Sequence, residues 1–199
     1  MDVFTIVVVA LLAGAVLYTI TIFNKLVSLQ NQFKNGFAQI EVQLKRRYDL
    51  IPNLIETAKT YMSHEKGTLE AVTQARNQAC QGLSTASTTP GDASAMKQLV
   101  GAEAALGNAM GKLNIVMEAY PDLKANQNMM QLSEELTSTE NKVGFARQAY
   151  NDQVLSYNTY KQSFPQMLFA RVFGHNDDAS LLEFADSAEI QDAPKVSFE

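Results

Sequence analysis

The chain has 199 residues, with 16 Lys and Arg set against 21 Asp and Glu, for a formal net charge of −5. Its single cysteine, Cys80, excludes a disulfide framework and a thiolate metal cluster. Six acids (Asp177, Asp178, Glu183, Asp186, Glu189 and Asp192) fall within residues 176–192, and setting them aside leaves +1 for the rest, which is not the footprint of a nucleic-acid binder.

The first element is residues 3–23, VFTIVVVALLAGAVLYTITIF, which carry no charge. As a helix this run is about 31 Å long, enough to cross a bilayer core. A cleaved signal peptide needs a basic leading region and a small-residue cleavage site. Only the amino terminus and Asp2 precede the run, so it reads as a retained anchor. Ala10 and Gly14 form a small-xxx-small pair that permits close helix pairing and, with it, a homo-oligomer. Lys25, Lys34, Lys45, Arg46 and Arg47 follow the run and no Lys or Arg precedes it. The positive-inside rule then places the long segment in the cytoplasm and the amino terminus outside.

Beyond the anchor the pattern is helical. Leu26, Leu29, Phe33, Phe37, Ile40, Leu44 and Tyr48 recur at threes and fours along one face. KRRYDLIP then reads as end, cap and start: cations at a helix C-terminus, Asp49 as the next N-cap, and Pro52 in a first turn that needs no N–H. The alternative is one helix kinked at Pro52, because the apolar period runs through it. Such a helix over 24–85 would be about 93 Å long, more than the later helices can cover, so a break is expected. Lys45 lies about 33 Å along a straight helix from Phe23. That is far beyond a Debye length of about 8 Å, so the three cations are not a lipid-binding patch.

The stripe resumes as Ile51, Ile55, Ala58, Met62, Leu69 and Val72, and GLSTASTTPGDAS (82–94) reads as a loop. A third helix is expected from Ala95 to Ala119 on Met96, Leu99, Leu106, Met110, Leu113 and Met117. Gly101, Gly107 and Gly111 inside it imply close approach of a neighbouring helix. Pro121 suits the first position of a further helix on Leu132, Leu136, Val143, Tyr150, Val154 and Tyr157, which stops near Ser163-Phe164-Pro165.

The stretches QLKRRYDLIPNLIETAK, HEKGTLEAVTQAR, EAYPDLKAN and LSEELTSTENKVGFARQAYNDQVLSYNTYKQSFP, with the terminal PKVSF, resemble the LemA family over nearly the whole chain. The resemblance implies an all-α, bacterial, membrane-anchored protein with no established biochemical activity. Residues 1–23 are then the anchor, 24–165 an antiparallel four-helix bundle with long helices, and 166–199 a short apolar segment with an acidic tail. Some members are encoded beside membrane metalloproteases, which implies such a protease as a partner. Phe37 and Asn114 depart from the family pattern, which often has Trp and an aromatic there.

His64-Glu65 lacks the second histidine of a zinc-protease motif, and no glycine loop is placed to cradle phosphate. Neither enzyme activity, metal nor cofactor is expected. The last long helix is more informative. Glu140, Arg147, Asn151 and Asn158 fall near one face, with Tyr150, Tyr157 and Phe164 repeating every seven residues. Such a stripe can hold a peptide or small ligand; the favoured reading is a hydrogen-bonded network that sets helix register. Glu140 and Arg147 are two turns apart and so pair across helices, with Arg46 or Arg47 expected for Glu140.

Met167, Leu168, Phe169, Val172 and Phe173 make a short apolar stretch that can dock at a membrane interface, in a partner groove or, by preference, on its own bundle. Val196 and Phe198 alternate as in a strand and can pair with a sheet edge or dock on the bundle. The leading expectation is an interaction or scaffold module at the bacterial inner membrane, acting on other membrane proteins and on copies of itself. The alternative is a ligand-binding or sensory module using the polar stripe.

Overall fold

The computed structural model describes residues 2–184, and every regular element among them is helical. The order is α1 (Val3–Lys59), α2 (Lys66–Thr88), α3 (Ala93–Met117), α4 (Pro121–Lys124), α5 (Gln127–Gln162) and α6 (Gln166–Val172).

The expected break at KRRYDLIP is absent: α1 is one helix of 57 residues, about 86 Å long, with Pro52 inside it. Leu44, Tyr48, Ile51, Leu54, Ile55 and Ala58 are all buried, so the apolar stripe passes through the proline without changing face. Each large side chain kept buried contributes about 1.5–3 kcal/mol, whereas an interior proline costs about 3 kcal/mol. Continuity therefore wins. Pro52 has no N–H to offer the carbonyl of Tyr48, and Arg76 Nε of α2 donates to that carbonyl at 3.1 Å instead. Asp49 is not a cap; it is an exposed residue 3.7 Å from the Arg76 guanidinium. The chain turns at 60–65, where Met62 is fully buried.

Past the apolar run, α1 has 36 residues (24–59), the same number as α5. The two helices lie antiparallel and share an aromatic core of Phe33, Phe37, Tyr150 and Tyr157, with Phe37 and Tyr150 ring centres 5.8 Å apart. Gly36 permits this approach, because a Cβ there would stand 3.3 Å from Tyr150 Cα.

The expected loop over 82–94 shrinks to a turn at 89–92. Ala79, Gly82, Leu83 and Ala86 form a small-residue face that keeps α2 helical and close to α3, with Leu99 Cα 3.4 Å from a Cβ built on Gly82. Gly91 turns the chain at φ +91, and Asp92 caps α3 by accepting from Ala95 N at 2.8 Å. Asn126 caps α5 in the same way, from Met129 N at 3.1 Å. Each successive long helix reverses direction. The apolar run, the α2–α3 turn and the end of α5 therefore share one end of the molecule.

A second correction concerns α3. Nothing lies within 4 Å of a Cβ built on Gly101, Gly107 or Gly111, so these glycines do not mark a close helix contact. Helix α3 packs on α2, and a groove separates its other flank from α5.

Candidate functional site

The polar stripe of α5 grips the chain's own C-terminal segment. Asn158 accepts from Ala179 N and donates to Ala179 O, both at 2.9 Å. One heptad earlier, Asn151 accepts from Leu182 N at 2.8 Å and donates to Leu182 O at 3.1 Å. Each carboxamide thus serves one residue's donor and acceptor together, as a neighbouring strand would. Tyr150 OH donates to Ser180 O at 2.8 Å, and Ser180 N donates to Gly91 O across the segment at 2.8 Å. Arg147 lies over the Phe184 ring, 4.8 Å from its centre. The stripe, expected to form a register network or to hold a peptide or small ligand, hydrogen-bonds through Asn151 and Asn158 to the chain's own Ala179 and Leu182.

The segment is pinned at its start by a buried knot. Lys161, only 5% exposed, donates to Asp177 O and pairs with Asp178 Oδ1 at 2.6 Å. The Lys161 ammonium holds the Asp178 carboxyl below its ordinary value. His175 Nδ1 sits 2.8 Å from Tyr157 OH. Burial, then Lys161 and Lys34, lowers the His175 imidazole from its ordinary value, so the neutral ring is favoured as the tyrosine's partner. Burial, with Asp178 and Asp177 nearby, raises Tyr157.

Below Arg147 the stripe opens into the groove between α3 and α5, a cavity of about 480 Å³. Its floor is Ile51 and Leu54 of α1; Gly107, Gly111 and Asn114 line one wall and Glu140, Val143 and Gly144 the other. At its head the buried Glu103 receives Arg47 and the hydroxyl of Tyr48. Burial, reinforced by Glu103, pushes Tyr48 far above the ordinary phenol range, so it stays a proton donor. Arg47 therefore pairs with Glu103 and not with Glu140, which is exposed on the groove wall, and Arg46 is exposed away from it. Glu103 stands on the apolar repeat of α3 between Leu99 and Leu106. An acid in that phase is a legible signal for a buried partner.

The LemA family model matches residues 36–198. The chain belongs to the LemA family. It is 27% identical to Protein LemA of Metamycoplasma hominis over 141 residues, which is 71% of this chain and 60% of that protein. It is 23% identical over 167 residues to magnetosome protein MamQ of Magnetospirillum gryphiswaldense, covering 76% of this chain and 61% of that protein. Magnetosome protein MamQ 2 of Paramagnetospirillum magneticum is likewise 23% identical over 170 residues. The chain spans about 60% of the length of these curated relatives.

Thirteen large apolar side chains of this LemA-family chain between Val3 and Phe23 are exposed. In water each costs about 1.5–3 kcal/mol, on the order of 20–40 kcal/mol together. The protein is accordingly membrane-associated. Beside the end of the run, α6 packs Phe173 edge-on against Phe23 at 5.1 Å between ring centres. Phe169 and Phe173 are half-buried on the protein's own body, as preferred, whereas Met167, Leu168 and Val172 face outward with Phe164. Val196 and Phe198 lie outside the described residues. The sequence reading missed Glu103, Arg76, Lys161, His175, Leu182 and Phe184. Apolar Leu181, Leu182 and Phe184 within an acidic stretch were the available signal for the last two.

Proposed function

We propose that this protein is a single-pass scaffold of the bacterial inner membrane, an anchored antiparallel four-helix bundle held on the cytoplasmic side. It works through surfaces and not through bond-making chemistry. Its partners are other membrane proteins, a membrane metalloprotease among the candidates, and copies of itself through the Ala10–Gly14 face. The observation that carries this reading is the continuity of α1. One helix joins the apolar run to the far end of the body, so anything bound there stands at a fixed height over the membrane. The five cations that follow the run support the cytoplasmic placement.

The test is purification of the full chain in mild detergent with size analysis and mass spectrometry, beside a chain lacking 164–199. A stoichiometric membrane protein or a defined homo-oligomer is expected. A monomer that turns over a substrate, with turnover lost on changing one polar residue, overturns the reading.

A second reading, a ligand-binding module, is favoured by one observation. The groove between α3 and α5 continues a stripe that already binds extended backbone, which makes an extended peptide the fitting ligand.

A further inference from the structure

Helix α6 sits at the height where the apolar run ends. Phe173 packs edge-on against Phe23, and Ile22 and Leu26, on the neighbouring turns of α1, are buried. The side chains of α6 divide between two faces. Ala170 is buried and Phe169 and Phe173 are half-buried on one, while Met167, Leu168 and Val172 fall on the other and are each at least half exposed. Phe164, just ahead of the helix, is exposed as well. Arg171 falls on the same outer face and is exposed, and its guanidinium has no acidic partner among the described residues.

Depth and chemistry decide what meets this face. Residues 3–23 make about 31 Å of helix, the thickness of a bilayer core, so the medium around Phe23 changes from acyl chains to headgroups. Helix α6 is about 10 Å long and touches α1 at that level. Its outer face is therefore continuous with the exposed apolar surface of the run. Four apolar side chains around one guanidinium suit that boundary. Hydrocarbon takes Phe164, Met167, Leu168 and Val172, and the long Arg171 side chain carries its charge outward to a lipid phosphate. A protein docking here has to displace lipid and also supply an acid for Arg171, whereas the bilayer already presents phosphate at this depth.

We propose that α6 is a lipid-binding element lying in the headgroup–acyl boundary of the leaflet on the body's side, with its apolar face in the acyl layer and Arg171 on a lipid phosphate. The inference rests on the single-pass reading of residues 3–23 and deepens it. The span and α6 are two contacts with one bilayer. Together they fix the tilt of α1, and with it the stance of the whole body over the membrane.

The experiment uses the full chain with Cys80→Ser in vesicles of mixed phosphatidylcholine and phosphatidylglycerol. A nitroxide is placed on one introduced cysteine at a time: Val172→Cys on α6, Leu12→Cys in the apolar run or Asn141→Cys on α5. All three replace exposed side chains, so folding is retained. Electron paramagnetic resonance compares collisions with oxygen, which concentrates among acyl chains, and with a water-soluble nickel chelate. The oxygen-to-nickel ratio at position 172 is expected to exceed that at position 141 by about fivefold or more, and Arg171→Glu to lower it by about half. Equal ratios at 172 and 141, with position 12 reading as lipid, overturn an interfacial α6 and leave the span standing. A label at 172 shielded from both reagents shows that protein covers the face, and also overturns the proposal. If position 12 reads as water, the single-pass reading falls with it. An unchanged ratio in Arg171→Glu overturns the phosphate contact.

Discussion

Pro52 removes one donor from the middle of α1, and Arg76 of α2 supplies another from outside the helix. Arg76→Ala leaves a partly buried carbonyl without a partner and is expected to cost about 1–3 kcal/mol. With Pro52→Ala, the backbone N–H gained at that position restores the ordinary i→i−4 bond, so Arg76→Ala then costs measurably less. Urea unfolding of the four proteins of this cycle checks the prediction, and additive costs contradict it. His175 gives a second test at this scale. Burial, then Lys161 and Lys34, lowers its folded pKa below the ordinary 6.5, so the folded state binds fewer protons than the unfolded state across that interval. The stability it contributes is complete above about pH 6.5 and is lost as pH falls from there toward the lowered value. The unfolding temperature is expected to drop more between pH 7.5 and 5.5 for the native chain than for His175→Gln; equal drops contradict the assignment.

At the scale of elements, α6 is too short to be stable alone and is held by Phe173 on Phe23 and by the buried Ala170. Its exposed Met167, Leu168 and Val172 stand next to the end of the membrane run, where apolar side chains gain by entering the acyl boundary. The chain contains no tryptophan, so Leu168→Trp is a sole reporter. In brominated-lipid vesicles its fluorescence is expected to be strongly quenched, and Asn141→Trp, exposed near the middle of α5 and about 32 Å along it from Gln162, to be unaffected. Equal quenching at the two sites contradicts an interfacial α6. Helix α3 shows a different economy. Each interior glycine costs about 1 kcal/mol relative to alanine. Gly107 and Gly111 line the groove and Gly101 does not, and nothing lies within 4 Å of a Cβ built at any of the three.

Over the whole molecule, α1 is the axis on which everything else is mounted. Its apolar end is long and apolar enough to cross a membrane, and its remaining 36 residues are matched by α5 alone, since α2 and α3 have only 23 and 25. This mismatch makes a long two-helix spine with a shorter hairpin beside it and leaves a seam between α3 and α5. The all-helical class, the apolar run and the stripes on α1 and α5 were legible in the sequence, because they follow from local period, whereas Pro121, expected to open the long last helix, opens the four-residue α4, and α5 begins at Gln127 behind the Asn126 cap. The polar face of α5 was legible too, since four polar residues on one side of a helix is a linear pattern. What that face grips was not legible, because it depends on which segment returns to it across the molecule. Pro52 misleads for the same reason. A lone helix would break there, and only the burial of Tyr48, Ile51 and Ile55, with a donor from Arg76, makes continuity the lower free energy. The sequence by itself determined that this protein is membrane-associated and helical, since hydrophobic period and run length need only near neighbours. The tertiary structure alone decided that Arg47 pairs with Glu103, that α1 is unbroken and that a groove opens beside α5. Each of those depends on contacts between residues far apart in the chain, whose energies no local window contains.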